Sequence, residues 1–269
     1  MSIIAFSDVH LGTPQCNKDD FFSFVLWLQD HPPDHLVILG DLVDFWRRSN
    51  AEVLLENQGV LNDLFAVKSD IHYVVGNHDY SVGDAFGIPA QKSMGIGYGK
   101  FSITKMFRTA TTADKFVTFI HGYDLDVAVN MEGMPLGVYE SFASVMCGAN
   151  DSIGGFASLL WGGLMTSPKH VPKMIQMRQS PAFRHFVGDK LYQIACSDQS
   201  SLLVGICPQD NFVFGHTHLP FISSNGRVAN TGSWCTEQGI PCHNTFVEID
   251  DNGIMALRTF NRGHNDMKN

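Results

Sequence analysis

Three apolar runs early in the chain each stop on a polar cluster, and this repetition constrains the fold more than any other feature. Ile3 to Phe6 leads to Asp8-Val9-His10. Leu36 to Leu39 leads to Gly40-Asp41-Leu42-Val43-Asp44. Ile71 to Val75 leads to Gly76-Asn77-His78-Asp79. Short apolar runs rich in β-branched residues read as buried strands. Between them, Phe21, Phe24, Val25 and Leu28 predict a helix over about 17–30, stopped by His31-Pro32-Pro33. Leu54, Leu61, Leu64 and Phe65 predict a second helix over about 50–67. Alternation of strand and helix is the pattern of parallel βαβ units. In open sheets of this kind, functional groups gather beyond the carboxyl ends of the strands. Asp8, Asp41 and Asn77 all fall there.

The pattern changes after residue 100. Phe101 to Phe107 and Phe116 to Ile120 read as a hairpin, and the second run ends in His121-Gly122. Residues 126–205 lose strand alternation. Val138, Phe142, Val145 and Met146 are helically spaced, as are Phe156, Leu159, Leu160 and Leu164, and again Phe183, Phe186, Val187, Leu191 and Ile194. Strands return with Asn211 to Phe214, which leads into Gly215-His216-Thr217-His218. Two further strand pairs follow, turning at Ser224-Asn225-Gly226 and at Asp250-Asp251-Asn252-Gly253. The expected organisation is a core of residues 1–125 and 206–262, a helical cap inserted over 126–205, and a polar tail over 263–269.

The polar stretches carry a metal-ligand chemistry. Neutral imidazole, carboxylate and amide oxygen suit Mn, Fe, Zn, Co and Ni. In an extended stretch, Asp8 and His10 point to one side, and so do His216 and His218. Asp41 can bridge two ions, Asn77 adds a neutral oxygen and His121 a further nitrogen. Together these exceed what one tetrahedral ion takes and suit two ions sharing Asp41. His78, next to Asn77, is free to face a substrate and protonate a leaving oxygen. Asp79 is expected to fix its tautomer, and Asp44 to support a ligand rather than be one.

Composition narrows the partners. A formal net charge of −9 argues against general affinity for nucleic acid. The six cysteines form no Cys-x-x-Cys pair and read as buried or reduced thiols. No apolar run reaches membrane-spanning length. The expected setting is cytoplasmic, with peripheral membrane association and a homodimer left open.

The ordered set of Asp-x-His, Gly-Asp-x-x-Asp, Gly-Asn-His-Asp, His-Gly and Gly-His-x-His resembles the calcineurin-like metallophosphoesterase superfamily. Asn230-Thr231-Gly232-Ser233-Trp234 resembles the element that follows in that family. The resemblance covers residues 1–124 and 211–260. It implies an αββα sandwich of two mixed β-sheets flanked by helices. It also implies one ion held by Asp8, His10, Asp41 and His218, and a second by Asp41, Asn77, His121 and His216. A phosphoester or pyrophosphate bond would then be cleaved by in-line attack of a bridging hydroxide, with Mn the first choice of metal and a small phosphorylated molecule as substrate. Motif spacing is also similar to UDP-2,3-diacylglucosamine hydrolases, which some members mark with arginine where this chain has His78. That narrower reading is an alternative, as is a metal-binding scaffold without turnover.

Within the insertion, Lys169, Lys173, Arg178, Arg184 and Lys190 face a single acid, Asp189, over residues 166–195. In an acidic chain this cluster suggests a cap that meets an anionic substrate. Arg178 and Arg184 are its candidate contacts, and Arg47 is a third. Arg178→Ala or Arg184→Ala is expected to raise KM on a good substrate. Unchanged KM and kcat in both variants would remove the cap from substrate binding.

Overall fold

A computed structural model describes residues 1–85, 96–98, 100–131, 133–152, 181–237 and 242–262. In chain order the elements are β1 (Ile3–Phe6), α1 (Lys18–Asp30), β2 (His35–Ile38), α2 (Asn50–Glu56), α3 (Gln58–Phe65), β3 (Asp70–Val74) and α4 (Ser81–Ala85). There follow β4 (Ile96–Tyr98), β5 (Phe101–Thr104), β6 (Met106–Ala110), β7 (Phe116–Ile120), α5 (Tyr123–Asn130) and α6 (Leu136–Ser152). The chain then runs through α7 (Pro181–Ala195), α8 (Gln199–Val204), β8 (Asn211–Phe214), β9 (Phe221–Ile222), β10 (Val228–Asn230), β11 (Thr245–Ile249) and β12 (Met255–Thr259).

The strands form two mixed sheets. One is seven-stranded, in the order β12-β11-β1-β2-β3-β5-β4, and the other five-stranded, β6-β7-β8-β10-β9. Strand periodicity explains how they stack, because alternate side chains point to opposite faces. Ile3 and Ala5 of β1, Val37 of β2, Val117 and Phe119 of β7 and Val213 of β8 meet in one cluster between the sheets. Ile4 and Phe6, Leu36 and Ile38 turn the other way, onto Phe21, Phe24, Val25 and Leu28 of α1 and Leu64 of α3. On the far side, Ile120, Phe212 and Phe214 pack with Leu125 of α5 and Leu191 and Ala195 of α7. The layers are therefore helix, sheet, sheet, helix, as expected.

The central strands β1, β2 and β3 run parallel and in register. In the second sheet β7, β8 and β10 are also parallel. The segments following β1, β2, β3, β7 and β8 carry every predicted ligand. The predicted hairpins β9–β10 and β11–β12 are both present. No helix among the described residues is long and apolar enough to cross a membrane. All six cysteines are free thiols.

Three local expectations need correction. The run 101–107 is two strands: β5 pairs with β3 in the first sheet, and after Lys105 the chain crosses to the second sheet as β6. A strand-like run with polar residues throughout cannot reveal that crossing, since both strands are half-buried. The helix expected over 50–67 breaks at Asn57, which is 1% exposed and turns its amide back onto the Val53 carbonyl at 2.7 Å. In α6 the buried face is Tyr139, Ala143 and Cys147, while Val138 and Val145 are exposed. Helical spacing alone does not choose between neighbouring faces when both carry apolar residues. The short strand β4 and helix α4 have no clear periodicity in sequence. The predicted set Phe156 to Leu164, with Lys169, Lys173, Arg178 and the polar tail, lies outside the described residues.

Midway along β3, His72 stacks on Phe107 of β6 with ring centroids 3.7 Å apart. Its Nε2 is 3.0 Å from His35 Nδ1 and its Nδ1 is 2.8 Å from Ser102 Oγ. Burial, and then the neighbouring His35, pull its pKa down to about 4, with Asp70 opposing. The folded state thus binds fewer protons than the unfolded chain. This contribution to stability is complete above the ordinary value of 6.5 and is lost as the pH falls from there through about 4. An imidazole titration followed by NMR should place His72 near 4; an apparent value at or above 6.5 would contradict this environment.

Candidate metal centre

The backbone at the strand ends is unusual before any side chain is considered. Asp8, His10, Asp41, His216 and His218 all have left-handed φ, at 54°, 51°, 52°, 66° and 62°. For non-glycine residues this costs on the order of 1–3 kcal/mol each and persists only where the surroundings enforce it. Asp8 and His10 are therefore not extended, as their spacing suggested, but turn sharply and still converge.

Hydrogen bonds between segments hold these turns. His10 N–H donates to the Asp41 carbonyl at 2.9 Å and Trp234 N–H to the Asp8 carbonyl at 3.1 Å. His216 N–H donates to Asp8 Oδ2 and His78 N–H to Asp41 Oδ1, both at 2.8 Å. Asn230 Nδ2 donates to the Gly215 carbonyl at 2.7 Å, which gives the Asn-x-Gly-Ser element a clear task. Two glycines are required by close approach. A Cβ on Gly76 would lie 2.2 Å from Asp41 Oδ1, and one on Gly215 would lie 2.6 Å from Asp8 Oδ2 and 2.2 Å from Ser7 Oγ.

Within this frame the side chains form three overlapping clusters: Asp8 with His10 and His218, His10 with Asp41 and His78, and Asp8 with Asp41 and His121. His218 Nε2 lies 3.2 Å from Asp8 Oδ1 and 3.2 Å from His10 Nε2. His10 Nε2 is 3.8 Å from Asp41 Oδ2. On the other side of Asp41, His121 Nε2 is 3.3 Å from Asp41 Oδ2 and 3.2 Å from Asn77 Oδ1. The His216 ring stands 5.2 Å from the His121 ring, centroid to centroid. The two histidines of Gly-His-Thr-His thus part, one toward Asp8 and the other toward His121.

The donor set fits cations. His121 Nδ1 donates to the Leu39 carbonyl at 2.5 Å. A neutral imidazole has one N–H, so its Nε2 lone pair then faces two acceptor oxygens, Asp41 Oδ2 and Asn77 Oδ1. His218 likewise places Nδ1 2.6 Å from Glu237 Oε1, which turns its Nε2 lone pair toward Asp8 Oδ1. Asp8 Oδ1 is buried without a hydrogen-bond donor. Lone pairs facing lone pairs in a buried site are reconciled by a positive charge between them.

Burial opposes charging His121, but Asp41 raises it to about 10, so without a metal ion a proton at Nε2 supplies that charge. Burial pushes the Asp8 carboxyl up, but His218 outweighs it and holds it down at about 2. Burial likewise opposes ionisation of Asp41, and His121 and His78 bring it well below the usual carboxylate range. Asp44 is lowered against its burial by His78 and His10. Burial lowers His10, favouring the neutral, ligating form. His78 is raised against its burial by Asp41 and Asp44, favouring the imidazolium.

His78 differs from its expected setting. Its Nδ1 lies 3.1 Å from Asp44 Oδ2, and its ring stacks on Trp46 at 4.3 Å. Asp79, adjacent to this ring in sequence, points away from it. Its Oδ2 accepts from Leu42 N–H at 2.8 Å and Tyr73 O–H at 2.6 Å, and its Oδ1 from Gly76 N–H at 2.8 Å. Asp79 therefore staples the Asp41 loop to the Asn77 loop, and Asp44 orients His78. Burial, then Asp41, raise the Asp79 carboxyl to about 6. Asp44 Oδ2 also receives Arg47 Nη1 and lies 3.4 Å from His10 Nδ1. Arg47 is thus tied to Asp44. Lys190 Nζ donates to the Val129 carbonyl at 2.8 Å. Arg178 and the Arg184 side chain fall outside the described residues.

Three residues at the centre were not foreseen: Trp46, Glu237 and Asp126. Asp126 is 2% exposed, and its Oδ2 lies 3.0 Å from His216 Nε2. Its one sequence signal is an acid set among apolar residues in Leu125-Asp126-Val127.

A family model described as calcineurin-like phosphoesterase matches residues 1–220. No curated protein matches the chain at a significant level. Similar solved structures include Yfce, a phosphoesterase from E. coli, at 17% identity and TM-score 0.42, covering 97% of this chain and 100% of that one. A dimetal phosphatase from Danio rerio gives 13%, 0.46, 97% and 99%. A Vps29 single mutant from Entamoeba histolytica gives 12%, 0.43, 100% and 97%. Likeness at these scores adds no argument to the family match.

The close approaches make a direct prediction. Gly76→Ala and Gly215→Ala should each weaken Mn²⁺ binding at least about tenfold in a calorimetric titration, because they displace the Asp41 and Asp8 carboxylates. Gly59→Ala, in α3 with nothing within 4 Å, should leave it unchanged. Wild-type affinity in both loop variants would contradict the described packing.

Proposed function

The chain belongs to the calcineurin-like phosphoesterase family, and on that premise we propose that it hydrolyses a phosphoester or pyrophosphate bond at the centre around Asp41. The observation that carries this reading is Asp41 itself, a buried carboxylate with His10 on one side and His121 and Asn77 on the other. Asp8, His10, Asp41 and His218 would hold one divalent ion, and Asp41, Asn77, His121 and His216 the other, with Mn²⁺ the first to test. When bound, such ions stabilise phosphoryl charge and lower the pKa of a coordinated water toward neutrality.

The chain's own residues supply the rest. His78 keeps Nδ1 against Asp44, which leaves Nε2–H to meet a phosphoryl or leaving oxygen. Trp46 fixes the plane of that ring by stacking. The raised His78 pKa, set by Asp41 and Asp44 against its burial, suits a proton donor. The substrate is a small phosphorylated molecule. Its finer class, including a nucleotide-linked pyrophosphate, rests on the insertion between His121 and His216, and so does any contact by Arg178 or Arg184.

Hydrolysis of a bis-aryl phosphodiester or an aryl phosphomonoester should appear with Mn²⁺ and vanish with EDTA. Asp41→Ala should abolish it. His78→Ala should lower kcat by roughly 10²–10⁴ while metal content is retained. Turnover without metal, or full activity in Asp41→Ala, would sink the mechanism. Two bound ions with no turnover on a broad panel would favour a scaffold.

A further inference from the structure

The paired histidines of Gly-His-Thr-His are held by two carboxylates through opposite ring nitrogens. Asp126 Oδ2 meets Nε2 of His216 at 3.0 Å, whereas Glu237 Oε1 meets Nδ1 of His218 at 2.6 Å. Accepting the N–H at one nitrogen fixes the tautomer and leaves the other nitrogen's lone pair for an ion. Resting on the two-ion reading above, we propose that Asp126 and Glu237 are positioning residues, each setting the tautomer of one clasp histidine and so governing one of the two ion sites.

The supports of the two carboxylates are separate, and each belongs to its own side of the centre. His121 ends β7, and Gly122, at φ 119°, turns the chain directly into α5. Two turns of that helix carry both Asp126 and Asn130, whose Nδ2 donates to Asp126 Oδ1 at 2.7 Å. One carboxylate oxygen is thereby anchored while the other faces His216. The strand end that presents His121 thus also delivers the group that orients His216, on the same side of Asp41. Glu237 lies beyond Trp234, whose N–H holds the Asp8 carbonyl, and Thr236, whose N–H holds the Gln15 carbonyl at 2.9 Å. The segment orienting His218 is therefore fastened to the loop that carries Asp8 and His10.

This arrangement predicts site-selective damage. Oriented acceptors behind metal-binding histidines typically contribute 10- to 100-fold in affinity. Asp126→Ala should weaken one Mn²⁺ site by that factor and leave the other within about threefold. Glu237→Ala should do the converse. Asp126→Asn and Glu237→Gln, which retain an acceptor oxygen, should recover most of the loss. Pairing Asp126→Ala with His121→Ala should give less than the sum of the two effects, since both act on one site.

The experiment combines calorimetric Mn²⁺ titration of wild type and variants with ¹⁵N NMR of the metal-free wild type. The tautomers expected are Nε2–H at His216 and Nδ1–H at His218. The NMR arm needs no variant to fold. The same tautomer at both histidines, or equal weakening of both sites by either variant, would overturn the proposal. A wild type that binds no Mn²⁺ would instead remove the two-ion reading on which it rests.

Discussion

Asp41 is the constraint on which the remainder depends. It is a carboxylate 2% exposed, and burying such a charge is costly unless opposite charge and hydrogen bonds compensate. One oxygen accepts the His78 N–H, and the other faces His10 and His121. Those imidazoles keep it ionised against its burial. Gly76 is small because Asp41 lies against it, and Asp79 ties the two loops that carry Asp41 and Asn77. Left-handed backbone at five of the proposed ligand positions is tolerated because these cross-links over-determine it. The two sheets position the loops, and the loops aim lone pairs at shared points.

The fold and the clustering of the candidate ligands were legible in sequence to the extent that local rules govern them. Strand runs ending in polar clusters reported parallel β1, β2 and β3, because those strands are buried on both faces and end where ligands are useful. Asp8, His10, Asp41, Asn77, His121, His216 and His218 were visible because their spacings are short and their residue types are limited. What escaped is what depends on distant partners. Asp79 adjoins His78 in the chain but serves Leu42 and Tyr73, while the group that reaches the ring is Asp44. Asp126 and Glu237 sit on other segments and become meaningful only when the sheets bring them against His216 and His218. The crossing of the chain between sheets at Lys105 was hidden because both flanking strands have similar exposure.

The helices after β7 are joined to the centre rather than appended to it. Phe142 of α6 meets Trp46 edge-on, and Trp46 stacks on His78. Cys147 Sγ lies 3.3 Å from the His78 carbonyl. Glu140 takes Lys105 Nζ at 2.7 Å and Tyr123 O–H at 3.0 Å, linking α6 to the crossing between sheets and to the first residue of α5. In α7, Gly188 packs against Leu219, the residue after His218. The loops at the strand ends and the described helices between β7 and β8 therefore share contacts at His78 and beside His218.

The central claim is that two ions share Asp41. Anomalous diffraction from crystals equilibrated with Mn²⁺ tests it most directly. The account predicts two peaks flanking the Asp41 carboxylate, one beside Asp8, His10 and His218 and the other beside Asn77, His121 and His216. A single peak, or a pair that does not include Asp41 between them, would contradict it.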